Sequence, residues 1–249
     1  MSMSNEIVEE ALSETREELA EEDREKHLVK AVKMLDNVEA SIQEKDERFK
    51  DWYSLHFPEL TEEVNDIEHL TKILKDSVDR NDLDSFSELA DKSTGAEIGE
   101  KEKALLESVV ENLESDLELR EELEDYISEV VKEEMPNLSK FLGTFLTAKM
   151  IASIGSLEEL AKKPASTVQM IGAEEALFRY LRGNGTPPKH GIIFEHEFVR
   201  PLPSKPRGKM ARFVANKAVM AARLDAYSDK DNGAELKEEA REKFEELKD

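Results

Sequence analysis

Four apolar residues at strict seven-residue intervals, Leu28, Leu35, Ile42 and Phe49, constrain this chain more than anything else in its sequence. Ala31, Val38, Lys45 and Trp52 repeat the interval three positions later. A pattern of that kind is a heptad seam, and only a long α-helix lying against a partner helix buries it. A helix of about thirty residues, rising 1.5 Å each, would span about 45 Å. Lys45 is the one charged residue in the seam, where a polar group fixes register at some cost in stability. The helix is expected to stop near Pro58, because the residue before a proline is pushed out of helical geometry.

A second helix is expected to follow, with Thr61 as its cap and Glu62 and Glu63 in a first turn that favours negative charge. Val64, Ile67, Leu70, Leu74 and Val78 would form its apolar face. Residues 79–99, rich in Asp, Ser and Gly, predict a tip of short helix and loop. A third helix from about Glu100 to Glu134 carries Leu106, Val109, Leu113, Leu117, Leu123, Ile127 and Val130 at helical spacing. Two long striped helices separated by a short excursion predict an antiparallel hairpin. An intermolecular coil has the same periodicity, and both hold if two hairpins pair.

The texture changes at Pro136. Residues 141–154 are nearly uncharged apart from Lys149, as suits a helix inside a globular module. Ser156 is placed to cap a short helix that Pro164 ends. Residues 164–169 then read as a turn. Gly172 and Ala173 open a helix carrying Glu174 to Leu181, which Gly183-Asn184-Gly185 closes through residues tolerant of positive φ. Residues 187–206 hold five prolines and read as irregular, and residues 207–226 return to helix with Ala-rich faces. Residues 1–22 form an acidic leader in which Ile7, Val8, Ala11, Leu12 and Leu19 fit a frayed amphipathic helix. Residues 229–249 read as a charged tail, either a solvated helix or disordered. The expected class is all-α.

Charge divides the chain in the same way. Residues 138–223 hold 14 Lys and Arg against 6 Glu and no Asp, a local net of +8 in a chain whose total is -23. Such an island is what a polyanion-binding surface leaves in a sequence, although a solvated face balancing acidic neighbours leaves it too. An acid excess this large also suits a host with high internal salt. The chain has no cysteine, which removes disulfides and thiolate metal sites, and no apolar run serves as a signal or membrane span. The expected location is cytoplasmic.

Enzymatic chemistry finds no footing in the residues. His190 and His196 lie six apart around Glu195, which is not the spacing of helical zinc ligands, so no metal site is assigned. No nucleophile elbow or thiol is present, and Gly183-Asn184-Gly185 lacks the lysine of a phosphate loop. Glu174 and Glu175 are adjacent and point apart on a helix, so they make no carboxylate pair. No catalytic residue and no cofactor is expected. The binding reading has more to stand on. Lys189-His190-Gly191 sits in a proline-stiffened loop, where lysine meets phosphate and histidine stacks on an unpaired base; a packing histidine is the bland alternative. Arg207, Lys209 and Arg212 spread charge over about a turn and a half of helix, Arg223 lies three turns on, and no acid occurs between Phe198 and Leu224.

Seven runs stand out together: Pro136-Asn-Leu138, Ile154-Gly-Ser-Leu157, Leu160-Ala-Lys-Lys-Pro-Ala-Ser-Thr-Val-Gln169, Gly172-Ala-Glu-Glu-Ala-Leu-Phe178, Pro188-Lys-His-Gly-Ile-Ile-Phe194, Arg207-Gly-Lys-Met-Ala-Arg212 and Ala221-Ala-Arg-Leu-Asp225. As a set they resemble the Nop-domain family of box C/D ribonucleoprotein core proteins, which includes the archaeal fibrillarin-associated member. Trp52-Tyr-Ser-Leu-His-Phe-Pro-Glu-Leu60 and Thr94-Gly-Ala-Glu-Ile98 resemble the two ends of that family's coiled-coil hairpin, so the likeness covers about residues 24–228. It implies a coiled-coil hairpin over 23–136 followed by a globular helical Nop domain over 137–228. It also implies a non-catalytic scaffold that binds kink-turn guide RNA together with a small ribosomal-protein-like kink-turn-binding protein. Such a scaffold would support 2′-O-methylation of rRNA by fibrillarin and pair two copies through the coil. Carried over by motif, Gly172, Ala173 and Glu174 form a helix start facing RNA and partner, with Arg179 further along that helix. Lys189 and His190 form the loop reaching the bases, with Gly191 permitting close approach, while Arg207, Lys209 and Arg212 meet phosphate and Arg223 extends that charge along the helix. Three departures stand out. Glu175 replaces the family's usual lysine, Leu142-Gly-Thr-Phe-Leu146 replaces a Gly-Pro turn, and an acidic stretch of only some twenty residues precedes the coil where the family has a fibrillarin-binding domain. The competing function is an acidic coiled-coil assembly protein whose Nop-like domain binds no RNA and recruits no fibrillarin.

Overall fold

The computed structural model describes residues 24–248, so the acidic leader of residues 1–22 lies outside the described residues. All regular structure among them is helical, and no strand occurs. The chain divides into two compact units, one of residues 31–129 and one made of the segment up to Lys30 together with Val130 onward.

In the first unit the seam buries as its spacing predicts. Within α1 (Arg24–Tyr53), Val38, Ile42 and Phe49 are buried, and the opposing face of α5 (Glu100–Glu134) contributes Leu106, Val110, Leu113 and Ile127. The two helices run in opposite directions here. Lys45 Nζ donates to Asp116 at 2.6 Å and to Asn112, whereas Leu55, just beyond α1, accepts from the Ala96 N–H ahead of α5 at 2.9 Å. The seam lysine is thus paired, which relieves most of the cost of placing it there.

The end of the seam departs from the heptad. Trp52 is 37% exposed, while Tyr53 is fully buried, stacked 5.5 Å from Phe49 with its hydroxyl donating to Val78 O at 3.0 Å. An undistorted helix drifts off a 3.5-residue repeat, so the residue four after Phe49 takes the inward place that the repeat assigns to the third. Helix α1 also ends at Tyr53 rather than near Pro58. Pro58 instead opens α2 (Pro58–Glu63), where a missing N–H leaves no hydrogen bond unmade. Thr61 is not a cap: it lies inside α2 and donates to Pro58 O. The cap of α3 (Ile67–Leu74) is Asp66, which accepts from the His69 N–H at 3.0 Å, so Val64 and Val78 are buried from outside that helix.

Two 3-10 turns and α4 (Ser87–Ala90) complete the tip. There the buried Arg80 guanidinium donates to His56 O and Gly95 O, both at 2.8 Å, and pairs with Glu97 at 2.5 Å. The Arg80 N–H donates to His56 Nε2 at 3.1 Å, leaving His56 Nδ1 to donate to Ala96 O at 2.8 Å. A side chain on Gly95 would lie 2.0 Å from His56 O, so the close approach requires glycine.

In the second unit, α6 (Pro136–Leu142) and α7 (Thr144–Ile154) replace the single helix expected over residues 141–154, because Gly143 adopts φ 84° between them. Helix α8 (Leu157–Lys162) is capped by Ser156, whose Oγ accepts from Glu159 N–H, and by Glu25, which accepts from Leu157 N–H at 2.9 Å. Where a turn was expected, a short α9 (Ala165–Val168) forms. The centre of the unit is α11 (Ser204–Tyr227), whose small buried face (Ala211, Ala215, Ala218, Ala221, Ala222) lets α6, α8 and α9 pack closely. Where described, the charged tail is a helix as one alternative had it, but solvated on one face only. It forms α12 (Gly233–Lys248), with Gly233, Leu236 and Ala240 buried and Phe244 5.5 Å from Phe198. Asp225, near the end of α11, accepts from the backbone N–H of Asn137 and Leu138 and from Asn137 Nδ2, capping α6. Burial pushes its carboxyl above the usual value, those donors acting against the shift. Asn137 Oδ1 in turn accepts from Asn232 N–H at 2.7 Å.

Candidate nucleic-acid interface

Three segments of the second unit converge: the link from α9 to α10 (Glu174–Leu181), the loop of residues 186–196, and the first half of α11. The loop is tied to the link by main-chain bonds. Gly191 N–H donates to Gln169 O at 2.9 Å, Ile192 N–H donates to Ile171 O at 2.8 Å, and the Gln169 side chain donates to Lys189 O at 2.6 Å. Gly191 has to be glycine, since a Cβ would stand 1.7 Å from Ile171 O. Gly172 turns at φ 78° against Ile192, and Ala173 beside it is buried. Glu174 Oε1 accepts from the Gly172 N–H at 2.9 Å, so that carboxylate folds back on the turn ahead of its own helix, where the helix dipole favours negative charge.

His190 stacks on Phe194 at 5.2 Å and 15°, and the Arg207 guanidinium lies over the same ring at 5.1 Å. The bland reading of a packing histidine is therefore half met: the ring is half-buried on one aromatic partner and partly open. Burial first, then the charges of Arg207 and Lys189, hold its pKa below the ordinary value of 6.5, so it is neutral at pH 7. Beside this stack lies a cavity of about 600 Å³, lined by Ser166 of α9 and Gln169 after it, by Lys189 of the loop, and by Lys205, Lys209 and Arg212 of α11. Four cations face it and no carboxylate does. The nearby loop acids are engaged elsewhere, Glu195 with Lys149 at 3.1 Å and Glu197 with Lys237 at 2.7 Å. A concave site with positive walls and low-dielectric flanks focuses potential and attracts a polyanion backbone.

The residues singled out from sequence do not form one patch. Lys189, Lys209 and Arg212 share the cavity; His190 and Arg207 share the ring of Phe194, with Arg207 Nε donating to Leu202 O at 2.9 Å. Arg223 lies eleven residues beyond Arg212, about 16 Å along the helix, outside the cavity lining, and its Nε donates to Ala161 O at 3.0 Å. Arg179 is exposed on α10. Sequence reading missed Lys205, which the acid-free stretch after Phe198 signals, and Gln169, whose neutral amide signals nothing. It also missed an exposed apolar face on α10, where Phe178 is 58% and Leu181 67% exposed. Among the described residues no cluster of His, Asp or Glu is arranged to hold a metal ion, and no helix is long and apolar enough to cross a membrane.

Residues 34–246 match the family described as Nop, snoRNA binding domain, fibrillarin. Nucleolar protein 56 of Saccharomyces cerevisiae is 33% identical over 94% of this chain and 51% of its own length. An uncharacterized NOP5 family protein of Methanocaldococcus jannaschii is 34% identical over 83% of this chain and 53% of its own. The chain thus spans about half the length of the curated relatives it matches. The crystal structure of a fibrillarin/Nop5p complex superposes with a TM-score of 0.57 at 27% identity, covering 98% of this chain and 74% of that one.

Proposed function

The chain belongs to the Nop family, and on that premise we propose that it is a non-catalytic scaffold of a box C/D-type ribonucleoprotein, binding kink-turn guide RNA jointly with a small kink-turn-binding protein. In this reading it supports RNA-guided 2′-O-methylation of rRNA, the methyl transfer itself belonging to fibrillarin. The observation that carries the reading is the acid-free cavity of Lys189, Lys205, Lys209 and Arg212 in a chain of net charge -23. Its cations meet phosphate, and the open side of His190, neutral and backed by Phe194, offers a stacking face to an unpaired base. The exposed Phe178 and Leu181 in the second half of α10 suit the protein half of a composite target.

Pairing of two copies is part of the same proposal. In the first unit a groove lined by Phe49, Trp52, Leu105 and Val109, with Lys45 and Arg48, contains no carboxylate, although residues 31–129 hold 30 Asp and Glu against 11 Lys and Arg. It gives two strongly acidic bodies a largely apolar meeting place free of carboxylates. That groove also favours the assembly-only alternative, in which pairing persists and RNA binding does not.

A binding titration separates the two. Kink-turn RNA, with and without the small partner protein, is titrated with the chain, and fibrillarin is added last. The scaffold reading expects saturable binding to the preformed complex, weakened about tenfold or more by His190→Ala at unchanged helicity. No binding at moderate salt, with a dimer in sedimentation, would leave only the assembly role. Methyl transfer to RNA by the purified chain and methyl donor, with no fibrillarin present, would refute the non-catalytic assignment.

A further inference from the structure

We propose that Gln169 is a positioning residue for RNA recognition, a neutral clamp that sets the Lys189–His190 loop in its binding geometry before RNA arrives. The inference rests on the scaffold reading above. Gln169 holds both peptide units that flank His190: its carbonyl accepts the Gly191 N–H at 2.9 Å, and its side-chain amide donates to Lys189 O at 2.6 Å. Pro187 and Pro188, just upstream, have no N–H with which to tie the loop down themselves. On the other side of Gln169, its own N–H closes α9 by donating to Ala165 O at 2.9 Å, so the clamp is mounted on a helix end rather than on another loop.

A loop ordered in advance does not lose its conformational freedom at the moment of binding. The clamp carries no charge, and this separates it from the residues around it. Removing a lysine that neutralises phosphate lowers affinity and also lowers the salt dependence by about one unit of slope. Removing the clamp lowers affinity and leaves the slope alone, because the same cations reach the same phosphates once the loop is ordered.

The test uses Gln169→Met, which keeps the length and bulk of the side chain and deletes its amide, the donor to Lys189 O included. Amide hydrogen exchange of Gly191 and Ile192 in the free chain is measured beside RNA affinity at several salt concentrations, with Lys209→Ala as the charge-loss control. Expected are faster exchange at both amides, affinity lower by about tenfold, and a slope equal to the wild type's, with Lys209→Ala shifting the slope and not the exchange. Wild-type affinity in Gln169→Met overturns the inference while the scaffold reading stands. Weaker binding with unchanged exchange also overturns it, since the amide would then act by touching RNA. Absence of RNA binding by the wild-type chain ends the scaffold reading and this inference together, with the exchange data still reporting whether the amide holds the loop.

Discussion

His196 and His190 lie six residues apart and do unrelated work. His196 is buried between Phe141 and Phe198, its Nδ1 accepting the Phe198 N–H and its Nε2 donating to Phe141 O, each at 3.2 Å. Burial holds its pKa below 6.5, so the folded state binds this proton less readily than the unfolded one. Its contribution to stability is therefore complete above pH 6.5 and lost as pH falls through the lowered folded value. The urea midpoint is expected to decline between pH 6.5 and 5, with His190 adding in the same sense. The decline should be shallower in His196→Gln, and an identical slope in that variant would assign the acid sensitivity to other groups. Neither fate was visible in the sequence, where both histidines flank one glutamate and only the tertiary surroundings decide which is sealed.

At the level of elements, the long helices were legible and their partners were not. The bounds of α5 follow from apolar residues recurring every three or four positions, which no other local structure accommodates. The split at Gly143 was harder to see, because an apolar run hides a glycine whose positive φ shows only in the backbone. Helix α12 hid behind its charge: Leu236, Ala240 and Phe244 recur every four residues, but the alternating acids and bases around them drew attention to solvent. That stripe now has a measurable weight. Leu236→Ala is expected to destabilise the second unit by about 2–5 kcal/mol, read as a lower denaturant midpoint. A change within about 0.5 kcal/mol would mean that α12 lies on the surface without supporting it. The cation cavity was half legible for a related reason: basic residues on one helix are countable, while the link and loop that face them across the cavity come together only through folding.

For the whole molecule, salt should push stability and binding in opposite directions. The first unit carries a net charge of -19 over residues 31–129, and its self-repulsion is screened as ionic strength rises. RNA binding through four cavity cations should weaken over the same range, with a log-log slope of about -3 to -4 if each meets one phosphate. Thermal midpoints and binding constants measured from 0.05 to about 1 M monovalent salt check both signs at once. A midpoint that falls with salt would show that attractive pairs such as Lys45 with Asp116 outweigh the repulsion. The hydrogen bonds at Asn137 have a consequence of another kind. The polypeptide meets Asp225 and Asn232 at the same asparagine where the basic module begins. Start and finish of some ninety-five intervening residues are spatial neighbours, as in a bead strung through a single hole. A single cut in a surface turn between them would therefore leave both halves joined at that asparagine, with α12 still packed beside it.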